Sequence, residues 1–132
     1  MIIPIISGYT AAILAVLTVV LMMTVGKARQ TAGITLGDGG SEELLFKIRR
    51  HGNLIESAPL FLILLGFLES AGGPTNAVTG LAIVYVVARL VHAYALSGKD
   101  KPMPARAVGA LGTVIGLLGT AGTLAWQLST LG

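Results

Sequence analysis

The sequence predicts an all-α integral membrane protein in which four transmembrane helices form a bundle. Of its 132 residues, 54% are hydrophobic and only 11% are charged, whereas charged residues make up about 25% of a typical globular domain. The mean hydropathy is +0.83, and polar breaks divide the chain into four apolar runs, each long enough to cross about 30 Å of hydrocarbon. We expect one domain over residues 1–132, with helices at about 2–25, 42–71, 77–96 and 105–128.

The composition excludes several classes of function. The chain has no cysteine, so it can form no disulfide and no thiolate ligand, and any thiol chemistry must come from a small-molecule thiol. With two histidines and no paired-carboxylate spacing, we expect no metal site. The basic residues form no extended stripe with interleaved aromatic residues, so we expect no nucleic-acid partner.

The first helix is an almost uninterrupted apolar run from Ile2 to Val25. A signal peptide is the alternative, but no basic segment precedes the run, and the run is longer than the usual apolar segment of about 7–15 residues. We therefore expect a transmembrane helix. The stretch from Gly26 to Gly40 is polar and rich in glycine, which predicts a loop with a tight turn at Asp38. Ser41 is then expected to cap the second helix.

The second helix carries Arg49, Asn53 and Glu56 into a segment that otherwise reads as membrane-buried. A strongly polar side chain at the centre of a membrane helix costs about 2.5–3.5 kcal/mol on insertion scales, so each of these residues calls for a partner or a ligand. The spacing i, i+4, i+7 places all three within a sector of about 60° on one helix face. This is the geometry of a polar site in a helix bundle.

The third and fourth helices add more polar residues. Arg89 and His92 are spaced i, i+3 in an apolar run, so they share a face of the third helix. Arg106 lies in the first turn of the fourth helix, after a short loop that contains two prolines. The fourth helix is also rich in glycine, a pattern that we interpret as close packing against a neighbouring helix; these glycines are Gly109, Gly112, Gly116 and Gly119.

The distribution of Lys and Arg predicts the topology. Eight of these residues flank the first and third connections, whereas the two termini and the second connection have none. Under the positive-inside rule, both termini face away from the cytoplasm. The six candidate site residues then lie together in the cytoplasmic half of the membrane: Arg49, Asn53, Glu56, Arg89, His92 and Arg106.

Such a set fits an anionic small molecule that carries carboxylates and an amino group, because guanidinium groups bind carboxylates and Glu56 can bind an ammonium group. A thiol beside an arginine would have a lowered pKa. Structural roles stay open for each residue taken alone. Glu56 can pair with Arg49 or Arg89, Asn53 can join two helices, and His92 can be a buried structural residue. Three further basic residues are explained by topology or by contact with lipid headgroups: Arg50, Lys99 and Lys101.

Several of these residues occur in the pattern of a known family. The pattern consists of Arg49-x3-Asn53-x2-Glu56-x2-Pro59 in the second helix, Ala88-Arg89-x2-His92 in the third, and Arg106 at the start of the fourth. In this layout the chain resembles the membrane-associated proteins in eicosanoid and glutathione metabolism, the MAPEG family. The stretch Gly37-Asp38-Gly39-Gly40 before the second helix is similar to the small bacterial branch of that family.

The resemblance implies a homotrimer in the bacterial inner membrane, with glutathione bound between neighbouring subunits near the cytoplasmic side. It implies that Arg106 stabilises the glutathione thiolate and that five residues contact glutathione: Arg49, Asn53, Glu56, Arg89 and His92. Leu96 stands where the glutathione-using members have a tyrosine, with Tyr94 nearby, and Ser57 stands where some members have an aromatic residue.

The function that we expect is that of a glutathione-dependent transferase or peroxidase, which acts on apolar electrophiles from the bilayer. The alternative is a non-catalytic membrane scaffold of the same fold that binds a lipid or a protein partner. A small four-helix cation exporter fits less well, because the first helix has no charged residue and an arginine-rich site would repel cations.

Overall fold

The computed structural model describes residues 3–132, and four α-helices account for most of them. These are α1 (Ile5–Ala32), α2 (Glu42–Ser70), α3 (Thr75–Ala95) and α4 (Met103–Ser129). Each helix is long and apolar enough to cross a membrane, which confirms the prediction of an all-helical membrane protein. The expected start of the first helix, at residue 2, lies outside the described residues.

The outward faces of the bundle are apolar. Large hydrophobic side chains on all four helices are exposed on the isolated chain, an arrangement that is unfavourable in water but suits contact with lipid or with another membrane helix. Examples from the four helices are Val16, Met23, Phe67, Val87, Leu111 and Leu118. Inside the bundle, α1 packs on α2, and α3 packs most extensively on α4.

The first helix is longer than the sequence pattern suggested. Residues 26–32 were expected to belong to a loop, but α1 continues to Ala32. Gly33 caps its C-terminal end, and the φ of 67° places this glycine in the left-handed conformation. The prediction was wrong because a change in polarity marks the edge of the membrane rather than the end of the helix. Lys27, Ala28 and Arg29 are good helix formers, and basic residues are favourable near the C-terminal end of a helix.

The connection between α1 and α2 and the start of α2 have the predicted local structure. The carboxylate of Asp38 accepts a hydrogen bond of 2.9 Å from the backbone N–H of Gly40, and Gly39 and Gly40 both have positive φ. The hydroxyl of Ser41 accepts a hydrogen bond from the backbone N–H of Leu44 at 3.3 Å. Ser41 therefore caps α2, as expected.

A buried carboxylate joins the C-terminal end of α2 to the N-terminal end of α1. Glu69 is only 8% exposed and accepts hydrogen bonds of 2.8 Å from the backbone N–H groups of Ile6 and Ser7 and one of 2.6 Å from the hydroxyl of Ser7. The first N–H groups of a helix have no partner within the helix. Glu69 therefore satisfies two amides of α1, and its negative charge is favourable at the positive end of the helix dipole.

The glycines of α4 pack against α3, as the sequence predicts. A Cβ atom added at Gly109 would lie 2.7–2.8 Å from the Cβ, Cα and backbone nitrogen of His92, and one at Gly112 would lie 2.7 Å from the Cβ of Ala88. A Cβ atom at Gly116 would lie 3.1 Å from the ring of Tyr85. Because these positions lack a side chain, the two helices approach closely along the stretch of α3 that carries Arg89 and His92.

Candidate functional site

A polar cavity lies between α2, α3 and α4 toward one end of the bundle. We call this end, which carries the connections 33–41 and 96–102, the basic end. The cavity has a volume of about 210 Å³. Seven residues line it: Asn53, Glu56, Ser57, Arg89, His92, Ala110 and Thr113. Four of the six residues singled out in the sequence therefore meet here.

Arg89 forms a fixed cationic wall of the cavity. It is 3% exposed, one of its Nη atoms donates a hydrogen bond of 3.0 Å to Thr113 Oγ1 on α4, and the other lies 3.4 Å from His92 Nδ1. Its Nε atom is buried and has no hydrogen-bond partner among residues 3–132. The guanidinium group is thus oriented from both sides but retains an unused donor.

Arg49 and Glu56 lie on one face of α2, nearer the surface of the bundle. The Nη atoms of Arg49 are 3.5 Å from Glu56 Oε1, and the two side chains are 51% and 59% exposed. At this distance and exposure the ion pair is weak, so either partner is able to exchange it for a ligand. Of the two partners that the sequence left open for Glu56, the structure selects Arg49.

Asn53 lies between Arg49 and Glu56 in the sequence. Its Nδ2 atom donates a hydrogen bond of 2.9 Å to the backbone carbonyl of Arg49, one turn earlier in α2. This bond fixes the amide and leaves its carbonyl oxygen as an acceptor at the edge of the polar cavity.

Arg106 is the one candidate residue that is fixed elsewhere by contacts of its own. Its guanidinium group lies 5.0 Å from the centre of the Phe46 ring, and its Nε atom donates a hydrogen bond of 3.4 Å to the carbonyl of Ala95. It does not line the polar cavity. Because Arg106 precedes the cavity-lining Ala110 by one turn of α4, it shares that residue's helix face at the basic end.

The sequence analysis missed a pair of hydroxyl groups in this region. Ser57 lines the polar cavity, and its Oγ atom lies 2.6 Å from the Oη atom of the fully buried Tyr85. The Tyr85 ring stacks on Phe61 with a centroid separation of 3.8 Å. The spacing of 85, 89 and 92 on α3 was the available signal, since residues four and three apart share a helix face.

Other basic residues have partners at the surface of the basic end. Lys99 forms an ion pair of 2.7 Å with Glu42, and this contact raises the pKa of Lys99 above its ordinary value. Lys101 lies over the ring of Tyr94, and Arg50 donates a hydrogen bond to Thr24 on α1. In residues 3–132 no group of three His, Asp or Glu residues is arranged to hold a metal ion.

Comparison with known proteins gives the family of this four-helix chain. The sequence model of the MAPEG family matches residues 7–126. The chain belongs to the MAPEG family. This assignment confirms the resemblance noted from the motifs in α2, α3 and α4.

Two similar proteins come from strains of Escherichia coli. Both are called inner membrane protein YecN, one from Escherichia coli strain K12 and one from Escherichia coli O6:H1 strain CFT073. Each is 38% identical to this MAPEG protein over 88 residues, which cover 64% of this chain and 67% of the relative. Their name gives a location in the membrane and no activity.

Proposed function

We propose that this MAPEG protein binds glutathione in the polar cavity and acts as a glutathione-dependent transferase or peroxidase on apolar electrophiles from the bilayer. The observation that carries the proposal is the convergence of Asn53, Glu56, Arg89 and His92 on one cavity in a chain of this family. Glutathione supplies a thiol nucleophile when bound, and the roles below are those of the surrounding side chains.

The charged residues fit the charges of glutathione. Arg49 and Arg89 are suited to its two carboxylates, since guanidinium groups donate paired hydrogen bonds to carboxylates. Glu56 is suited to the ammonium group, and its weak contact with Arg49 is readily exchanged. Asn53 and His92 are suited to the peptide groups between the charged ends.

Arg106 is the residue that we assign to stabilising the thiolate. A nearby guanidinium group favours the ionised form of a thiol, and the ionised form is the nucleophile. Arg106 has to leave the Phe46 ring to contact a ligand in the cavity. Its one hydrogen bond in the described part of the chain is the long one to the carbonyl of Ala95, which a change of side-chain rotamer is able to break.

A homotrimer is part of the proposal. The Arg49 and Glu56 side chains are about half exposed on the isolated chain, although they belong to a helix that crosses the membrane. Contact with lipid would be unfavourable for both. A neighbouring subunit would cover this face and complete the site. Chemical cross-linking in native membranes is expected to give a trimer.

The location in the inner membrane follows from the relatives and the topology from the charges. Both YecN relatives are inner membrane proteins by name, and the basic end of the bundle is expected to face the cytoplasm. We therefore propose that both termini face away from the cytoplasm. A reporter enzyme that works only outside the cytoplasm is expected to be active when it is fused to either terminus.

The direct test of the proposal is isothermal titration calorimetry of the purified trimer with glutathione in detergent. Binding is expected, and a folded trimer without affinity for glutathione would contradict the assignment. Glutathione disulfide and a glutathione analogue that lacks the amino group are useful competitors, because the second tests the role assigned to Glu56.

The second candidate function is that of a non-catalytic lipid-binding scaffold. An apolar groove of about 330 Å³ lies between α1 and α3, and Arg106 contacts Phe46 rather than the cavity. Both observations agree with lipid binding without thiol chemistry. Mass spectrometry that detects a retained lipid, together with the absence of turnover with any electrophile, would favour this function.

A further inference from the structure

A second cavity lies at the basic end, between the C-terminal part of α1 and the first turns of α2. This α1–α2 cavity has a volume of about 410 Å³, and it shares no lining residue with the polar cavity described above. Six of its lining residues are polar: Thr24, Lys27, Thr31, Ser41, Glu43 and Lys47. The function proposed above uses none of them.

The α1–α2 cavity lies at the level where the apolar part of α1 ends. The apolar run ends at Val25, and the helix continues to Ala32, about two turns further. Lys27 is the first charged residue of the chain. On α2, Arg50 donates a hydrogen bond of 3.0 Å to Thr24, so the basic part of α2 is level with the last turn of the apolar run. The cavity is therefore at the depth of the lipid headgroups.

Two lysines make the lining of this cavity basic. With Lys27, Lys47 and Glu43 as its charged residues, the lining has a net charge of +1. Lys27 forms no ion pair within residues 3–132. The Lys47 side chain is 24% exposed and pairs with Glu43, whose side chain is 78% exposed. An ion pair with one partner in water is weak, so an anion in the cavity is able to replace Glu43.

An exposed apolar surface continues from the cavity toward the centre of the membrane. Val20 and Val16 precede Lys27 by seven and eleven residues, about two and three helical turns, so all three lie on one face of α1. Both valine side chains are exposed. A water-soluble anion in the cavity makes no contact with this surface, whereas the acyl chain of a phospholipid covers it. The cavity and the valines together therefore fit an amphiphile.

We propose that the α1–α2 cavity binds the phosphate of one anionic phospholipid through Lys27 and Lys47, with an acyl chain along Val20 and Val16. The Ser41 hydroxyl, which accepts a hydrogen bond as the cap of α2, retains its proton as a donor to the phosphate. An anionic lipid is preferred to a zwitterionic one, because it lacks the cationic group that the two lysines repel. Basic segments at the cytoplasmic surface attract such lipids.

The lipid site faces away from the residues proposed for glutathione. Lys47 is separated from Arg49 by about 200° around α2 and from Glu56 by about 180°. The subunit contact proposed for Arg49 and Glu56 is thus on the other face of the helix. The inference does not rest on glutathione binding. Calorimetry with glutathione and the lipid experiment below therefore test the two proposals separately.

The experiment is native mass spectrometry of the full chain, released from detergent after incubation with phosphatidylglycerol or with phosphatidylcholine of the same acyl chains. We expect the unchanged protein to retain phosphatidylglycerol in preference, one molecule per subunit. Lys27→Gln is expected to lower the apparent affinity about fivefold, and Lys27→Gln combined with Lys47→Gln roughly 20-fold. Added phosphatidylglycerol is also expected to raise the thermal stability of the unchanged protein more than that of the double variant.

Two further variants separate the cavity from the general charge of the basic end. Ala28→Leu adds an apolar side chain to a lining residue without a change of charge, and it is expected to weaken phosphatidylglycerol binding. Lys101→Gln is the matched control, because it removes the same charge at the basic end but Lys101 lies over the ring of Tyr94 and outside the cavity. Its affinity is expected to stay unchanged.

Several results would overturn the inference. Equal retention of the two lipids would mean that the protein has no anionic lipid site. Equal losses in Lys27→Gln and Lys101→Gln, or an unchanged affinity in Ala28→Leu, would place the lipid outside the cavity. Displacement of phosphatidylglycerol by an equal concentration of glycerol 3-phosphate would assign the cavity to a soluble phosphate, since the acyl chain would then contribute nothing to binding.

Discussion

Gly109 on α4 lies directly against the backbone of His92 on α3, so close that an added Cβ atom would be 2.8 Å from the Cα atom of His92. The contact connects the packing of the bundle to the polar cavity, because His92 is both a packing surface for α4 and a cavity-lining residue. A change at Gly109 therefore acts on stability and on the site together.

For Gly109→Ala we expect a loss of about 1–3 kcal/mol in stability, since the backbone of His92 has to move to admit a methyl group. Thermal unfolding in detergent measures the effect, and calorimetry is expected to show weaker glutathione binding. Gly122→Ala is the matched control on the same helix, because no atom lies within 4 Å of its added Cβ. If both variants unfolded alike, the close packing at Gly109 would not matter for stability.

Glu69→Gln is expected to reduce stability by about 2 kcal/mol, because the bonds from Ile6 and Ser7 lose their charged acceptor. Thermal unfolding is again the measurement. Glu43→Gln is the control on the same helix, since the Glu43 side chain is 78% exposed and forms an ion pair with Lys47 at the surface. Equal effects of the two changes would contradict a special role for Glu69.

Arg49→Ala and Glu56→Ala are each expected to weaken glutathione binding by roughly tenfold or more, since each removes a charge opposite a charged group of the ligand. Isothermal titration calorimetry measures the affinity. Arg29→Ala is the control, because Arg29 contacts the carbonyl of Gly37 in the first connection and lies outside the cavity. An unchanged affinity in the Arg49 and Glu56 variants would place the ligand elsewhere.

Arg106→Ala is expected to bind glutathione normally and to lose turnover by roughly 100-fold, as for the removal of one group that stabilises a developing charge. Calorimetry and steady-state kinetics with a model electrophile measure the two effects separately. Equal losses in binding and turnover would indicate a binding role instead. Phe46→Leu, which removes the ring under the guanidinium group, tests whether that contact restrains Arg106.

The helices were largely predictable because membrane spans leave a strong apolar signal. The structure has four helices in residues 3–132, and the largest difference from the expected bounds is the C-terminal end of α1. That end is determined by local helix propensity and by Gly33, neither of which hydropathy registers. The packing role of the α4 glycines was also readable, because small residues recur at spacings that suit close helix contact.

The site was predictable where charged residues interrupt an apolar helix. It was unpredictable where a site residue is a Tyr or Thr, because these residues are common in membrane helices. Arg89 and His92 stood out because they are ionisable residues in an apolar helix. The roles of Tyr85 and Thr113 follow only from the packing of α2, α3 and α4, which brings Tyr85 to Ser57 and Thr113 to Arg89. The position of Arg106 at Phe46 depends on the conformation of a long side chain. Sequence spacing fixes its helix face but not the direction of its guanidinium group.

The contact between Glu69 and α1 also bears on how the protein is made. The acceptor for the amides of Ile6 and Ser7 is Glu69, which lies 63 and 62 residues further along the chain. When α1 leaves the ribosome, these two N–H groups therefore do not yet have this acceptor. The hydrogen bonds form only after α2 has been synthesised and packs against α1. A chain that stops short of Glu69 therefore lacks the acceptor that completes the N-terminal end of α1.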